Sequence, residues 1–172
     1  MEEVVCERAF LNERNDEILS VESRRPLKDF DVIAFTLSFE NDSIHVLRIL
    51  KQAGLALKSV DRHSSDPLVI MGGAAVSMNP LPLLPFIDAF GFGDGEDLVF
   101  DIANQLRVNP FLKSHKAKVL EALKEIPGVF VPSLQELTPD YKLKRRSVKF
   151  INSYLTKTEV ITPHTEFSGS YL

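Results

Sequence analysis

The sequence predicts an α/β fold: an open, mainly parallel sheet flanked by helices, Rossmann-like or flavodoxin-like in its winding, with a small irregular C-terminal extension. Three observations carry this. Residues 31–39 (DVIAFTLSF) and 67–71 (PLVIM) are nearly continuous apolar runs rich in β-formers. The first has the pattern of a central parallel strand covered on both faces, and the second that of a buried strand. A segment of helical period lies between them, and glycines or helix-start residues follow the strand ends, the spacing of right-handed crossovers.

The elements follow in chain order. Residues 3–10 (EVVCERAF) mix β-formers with charges and predict a strand. Residues 12–19 predict a short helix. After the 31–39 strand, Asn41, Asp42 and Ser43 are good N-cap types. Ile44, Leu47, Leu50 and Ala53 recur at helical spacing, and Gly54 stands where a C-terminal cap belongs. The 67–71 strand ends at Gly72 and Gly73. Residues 87–92 (IDAFGF) form a weaker strand, ended by Gly93, Asp94 and Gly95. Glu96 and Asp97 then suit the first turn of a helix, because negative charge complements the dipole there. Leu98, Val99, Ile102, Ala103 and Leu106 give that helix its apolar stripe. The character changes near residue 109, which divides the chain into a sheet domain over 1–109 and an extension over 110–172. Residues 114–125 predict a helix, 128–132 (GVFVP) an edge strand, and 160–172 an extended tail.

Composition excludes several classes. One cysteine among 172 residues rules out a disulfide framework, a four-thiolate zinc site and a self-contained iron–sulfur cluster. Cys6 reads as a small buried hydrophobe. Four scattered histidines do not group into a zinc site. A net charge of −4 argues against a general nucleic-acid binder. No stretch approaches ~18 consecutive apolar residues, so no membrane span is expected. The acidic N-terminus lacks the regions of a signal peptide, and the chain is expected to be cytoplasmic.

Three loops are candidates for chemistry, because open α/β sheets bind ligands outside the carboxyl ends of their strands. Gly72 and Gly73 permit positive φ and close approach to the backbone, or form only a tight turn. Gly93, Asp94, Gly95 and Glu96 open a helix whose N–H groups can receive a ligand. The two acids repel phosphate, so ribose hydroxyls or amides suit this loop better, and a plain helix start is the rival reading. Ser38 and Glu40 end the first strand and face the same crevice, or cap the following helix. No phosphate-binding motif is present, and no Ser/His/Asp set has the context of a nucleophile. Catalytic and metal residues are therefore not expected in this chain. The basic residues Lys142, Lys144, Arg145, Arg146 and Lys149 can dock RNA or an acidic partner, or simply solvate an edge.

Residues 31–38 (DVIAFTLS) and 67–73 (PLVIMGG), followed by Asn79-Pro80, Asp88 and Gly93-Asp94-Gly95-Glu96, together resemble the cobalamin-binding-like N-terminal domain of radical S-adenosylmethionine proteins. In that family a double-glycine strand end, a proline-containing stretch, an aspartate and a Gly-Glu-Gly-Glu element follow in this order. Asp94 replaces the usual glutamate. Residues 22–27 (ESRRPL), 55–57 (LAL) and 126–133 (IPGVFVPS) look like uncharacterised members whose cluster-bearing barrel follows this domain. The resemblance spans about residues 3–172.

It implies an accessory domain with cobalamin as a possible cofactor. The iron–sulfur cluster and S-adenosylmethionine belong to a catalytic barrel that this chain lacks, in the same full-length protein or a separate subunit. The chain alone is then not expected to be catalytic. Residues 61–66 (DRHSSD) are similar to the Asp-x-His-x-x-Gly signature of a cobalt-ligating histidine, but Asp66 replaces its glycine and a surface loop is the plainer reading of His63. The resemblance also leads to the expectation that the first βα unit of such a domain is not included in this sequence. The alternatives are a non-binding docking scaffold and a nucleotide-binding or RNA-interacting domain.

Overall fold

The computed structural model describes residues 5–14, 17–108, 115–138 and 144–148. One sheet has the order β1 (Val32–Thr36), β2 (Leu68–Gly72), β3 (Ala89–Gly91), β4 (Val129–Phe130). The first three strands are parallel, and β4 runs antiparallel to β3. Helix α1 (Ser43–Gln52) joins β1 to β2, and α2 (Ala74–Met78) leads from β2 towards β3. Helices α3 (Gly95–Val108) and α4 (Lys116–Lys124) lie between β3 and β4. The predicted open, mainly parallel α/β sheet is thus observed, with β4 as its antiparallel edge.

Alternation along the strands divides the apolar side chains between two cores. Ile33, Leu37, Val69, Met71, Phe90, Phe92 and Phe130 face one cluster with Val46 and Leu50 of α1 and Ala75 and Val76 of α2. Leu68, Ala89, Val129 and Val131 face the other with Leu98 of α3 and Val119, Leu120 and Leu123 of α4. Each fully buried side chain of this size contributes about 1.5–3 kcal/mol. Helices α1 and α2 therefore cover one face of the sheet, and α3 and α4 the other.

Four expectations need correction. First, β1 is an edge strand among the described residues, and β2 holds the central place. Helices α3 and α4 pack over β2, β3 and β4, reaching only Val32 of β1, so Ala34 and Thr36 are exposed. Second, Ile44 and Val99 are exposed at 62% and 63%. In α1 the buried stripe is Val46, Leu50 and Ala53, with Ile49 packed beside it. Both stripes satisfy the helical period, and period alone does not fix which side turns inward. The cap of α1 is as expected: the Gly54 amide donates to the Lys51 carbonyl at 3.0 Å and Leu55 to Leu50 at 3.1 Å, a Schellman motif.

Third, the described residues 5–10 form no strand, and the described parts of 12–19 form no helix. This segment is tied down by scattered tertiary bonds instead of a ladder. The Val21 amide donates to the Arg8 carbonyl at 2.7 Å, Arg8 Nε pairs with Glu22 at 2.8 Å, and Gln52 Nε2 donates to the Asn12 carbonyl at 2.6 Å. The Ser23 hydroxyl holds the Glu7 carboxyl below its ordinary range, and the Arg8 side chain does the same for Glu22. Fourth, Cys6 is exposed because no sheet forms around it. The expected tail over 160–172 lies outside the described residues. No helix among the described residues is long and apolar enough to cross a membrane.

Candidate functional site

The strand register brings the three candidate loops to one edge. Thr36 stands opposite Gly72, and Met71 opposite Phe90, so β1, β2 and β3 end side by side. The loops after β1 and β2 turn to the face of α1 and α2, whereas the loop after β3 turns to the face of α3. Neighbouring loops that diverge to opposite faces mark the place where open α/β sheets bind ligands, here between β2 and β3.

The β2 loop is closed against β1. The Leu37 amide donates to the Gly72 carbonyl at 2.9 Å, and the Ala75 amide donates to the Leu37 carbonyl at 3.1 Å. Gly73 has φ +114°, and a Cβ there would stand 2.3 Å from the Leu37 carbonyl oxygen. Only glycine lets α2 begin this close to β1. Gly72 is less constrained: a Cβ on it would meet the Gly91 oxygen at 3.5 Å, an ordinary contact. Ser38 and Glu40 are exposed at the end of β1. Glu40 opens a 3-10 turn (Glu40–Asp42), and its carbonyl accepts the Ser43 hydroxyl at the start of α1. At this helix start the Ser43 hydroxyl binds the preceding turn, and Asp42 lies 3.4 Å from His45 Nδ1 and provides no side-chain cap.

The β3 loop is closed from a distant part of the chain. Gly93 has φ +118°, and a Cβ there would stand 1.9 Å from the Arg146 carbonyl oxygen. The Arg146 amide donates to the Phe92 carbonyl, and the Asp94 amide to the Arg146 carbonyl, both at 2.9 Å. The Asp94 carboxylate accepts the Val148 amide at 2.8 Å. The Arg146 guanidinium lies 3.0 Å from Asp101 and 3.6 Å from Asp97, on the first turns of α3. Asp94 is thus engaged with the chain itself, and part of the predicted basic patch is paired with acids. Gly95 has open space where a Cβ would stand, and Glu96 is exposed. Lys142 and Lys149 lie outside the described residues.

Sequence reasoning missed Arg146, Gly128, Asp97 and Asp101 as partners of this loop. In the sequence Gly128 only opens the edge strand predicted over 128–132. Its own Cβ position lies 2.9 Å from Arg146 Cβ, so one segment sits against both glycines.

His63 and its neighbours occupy the opposite edge. The His63 amide donates to the Asp66 carboxylate at 2.8 Å. Arg62, with its side chain fully buried, contacts Asp88 at 3.2 Å and donates to the Phe86 carbonyl at 2.8 Å, before β3 begins. Asp88 also accepts the Val69 amide at 2.7 Å and lies 3.3 Å from Lys116. The aspartate that the family resemblance singled out is therefore a buried acceptor at the amino edge of the sheet.

An open groove of about 610 Å³ is lined by Glu17, Lys28, Arg48, Lys51, Gln52, Ala53 and Gly54. It lies at the C-terminal end of α1, away from the crevice, where cations complement the helix dipole. Among the described residues, no group of three or more His, Cys, Asp or Glu side chains could hold a metal ion.

Comparison with known proteins follows the same lines. Residues 1–132 match the family model described as the N-terminal part of radical SAM proteins. The chain is 27% identical over 93 residues to an uncharacterized protein of Methanocaldococcus jannaschii, MJ0966, an alignment covering 53% of this chain and 19% of that relative. The chain therefore spans about a fifth of that relative's length. No solved structure matches it. The family match covers most of the chain and includes every strand of the sheet, and the chain belongs to the family of radical SAM N-terminal domains.

Proposed function

We propose that this accessory domain docks a radical SAM catalytic domain through the carboxyl edge of its sheet. The observation that carries the reading is the apolar rim of that edge. Phe39 and Ile44 beside β1, Met78 at the end of α2, and Val99 and Phe100 in the first turns of α3 are 61–76% exposed. Single exposed apolar residues are ordinary, but five around one edge have the composition of an interface. The occupant proposed is the catalytic domain because this family is the N-terminal part of radical SAM proteins.

A corrinoid in the crevice between β2 and β3 is the second reading, favoured by the divergence of the two loops. The residues present fit it poorly. The Cβ sides of Gly73 and Gly93 are filled by the backbone of Leu37 and Arg146, and His63 stands at the opposite edge. Both glycines are needed for internal packing whether or not a ligand approaches.

The test pairs two titrations. The chain is titrated with hydroxocobalamin and adenosylcobalamin and followed by visible absorbance and gel filtration. It is also titrated with a separately produced radical SAM catalytic domain from the same source. Docking predicts micromolar association with that domain, weakened tenfold or more by Phe100→Ser, and no corrinoid co-elution at tens of micromolar. Co-elution of one corrinoid per chain without association would replace this reading by the second.

A further inference from the structure

We infer that the end of β3 is a strand-addition site for an extended, arginine-bearing segment, and that residues 144–148 of this chain fill it in cis. The inference is independent of the docking reading, because it concerns how the chain binds itself.

Four features converge on one segment. The backbone of Arg146 takes the two hydrogen-bonding positions of an added parallel strand, accepting from Asp94 and donating to Phe92. Strand β4 has left this position free, because its pairing with β3 runs only from Phe90 to Gly91 and continues as a single bond from Phe92 to the Gly128 carbonyl. Gly93 and Gly128, both at positive φ, flank the place where the segment lies and leave no room for a side chain. The carboxylates of Asp97 and Asp101 face the guanidinium of Arg146, while that of Asp94 receives the next backbone amide but one.

Gly93, Asp94, Asp97 and Asp101 lie together around the start of α3, and Gly128 comes from the turn before β4, yet all contact residues 146–148. Main-chain bonds supply the attachment, and the paired acids select arginine at one position, the division of labour seen in strand addition generally. The consequence is a fixed exit: at Val148 the chain is still bonded to Asp94, on the same edge as the apolar rim.

Limited trypsin digestion of the whole chain tests this, since Lys144, Arg145 and Arg146 are consecutive cleavage sites. Hydrogen exchange at the Asp94, Arg146 and Val148 amides is read in parallel. The bound segment predicts slow cleavage after residues 144–146 and slowed exchange at all three amides. Gly93→Ala, which places a methyl group on the Arg146 carbonyl, should raise both rates tenfold or more while Val69 and Met71 keep their protection. Where Gly93→Ala also deprotects Val69, the Asp97→Asn, Asp101→Asn double variant carries the test, with a threefold or greater rise in cleavage. Wild-type cleavage at the rate of an unstructured peptide, or rates unchanged in the double variant, would overturn the inference.

Discussion

At the amino edge of the sheet, Asp88 gathers Arg62, Lys116 and the Val69 amide into a cluster whose Arg62 and Asp88 side chains are 0% and 5% exposed. At the carboxyl edge, Arg146 meets Asp97 and Asp101 with all three side chains about a third exposed. Both clusters join residues distant in sequence through an arginine and carboxylates. They differ in what surrounds them. The amino-edge charges are cut off from water, so loss of one partner strands the others at high cost. The carboxyl-edge charges are partly solvated, with Arg146 Nε buried, so their pairing is worth less. One edge is sealed, and the other is partly open to water.

Replacing Asp88 gives the largest expected effect. Asp88→Ala leaves Arg62 buried without its counter-charge and removes the acceptor of the Val69 amide at the start of β2. A stability loss of about 3–5 kcal/mol is expected, read as the change in urea unfolding midpoint at unchanged slope. A loss below about 1 kcal/mol would mean that water reaches this edge too, and the contrast between the edges would collapse.

Gly73→Ala comes next. It combines a disfavoured positive φ with a Cβ 2.3 Å from the Leu37 oxygen, and about 2–3 kcal/mol of destabilisation is expected. Gly95→Ala is its control. A Cβ there meets open space at the start of α3, so a change within about 1 kcal/mol, of stabilising sign, is expected. Equal losses at the two positions would show that the carboxyl edge is packed as tightly at Gly95 as at Gly73.

This contrast also shows what the sequence made legible. Strands β2 and β3, helix α4 and the stop of α1 at Gly54 follow from local patterns of period, cap and breaker. So does the gathering of Gly73 and Gly93 at one edge, which parallel topology imposes. The phase of α1 was not legible, because Ile44 and Val46 serve the helical period equally well. The edge position of β1 was not legible either, because an apolar run looks the same whether or not a helix covers Ala34 and Thr36. The partner of Gly93 lies 53 residues downstream, and no local pattern encodes a pairing of that range. What no local pattern shows is that both glycines also make room for the chain itself, Gly73 for the backbone of Leu37 and Gly93 for that of Arg146.

The smallest effect concerns the N-terminal segment, which is held neither as the amino edge is nor as the strand-addition site is. Glu7 and Glu22 have pKa values lowered chiefly by the Ser23 hydroxyl and the Arg8 side chain. A lowered folded pKa means that the contribution is fully present above the unfolded value, about 4.3, and is lost as pH falls through the folded one. Both carboxylates are solvent-exposed, so the loss should be local. Exchange at the Arg8 and Ser23 amides, which donate to Glu22 and Glu7, should accelerate below about pH 4 relative to the intrinsic rate, before the Val69 amide changes. Simultaneous release of all three would instead place this segment in the same cooperative unit as the sealed edge. Its scattered bonds would then be as integral to the domain as the ladder between β1 and β2.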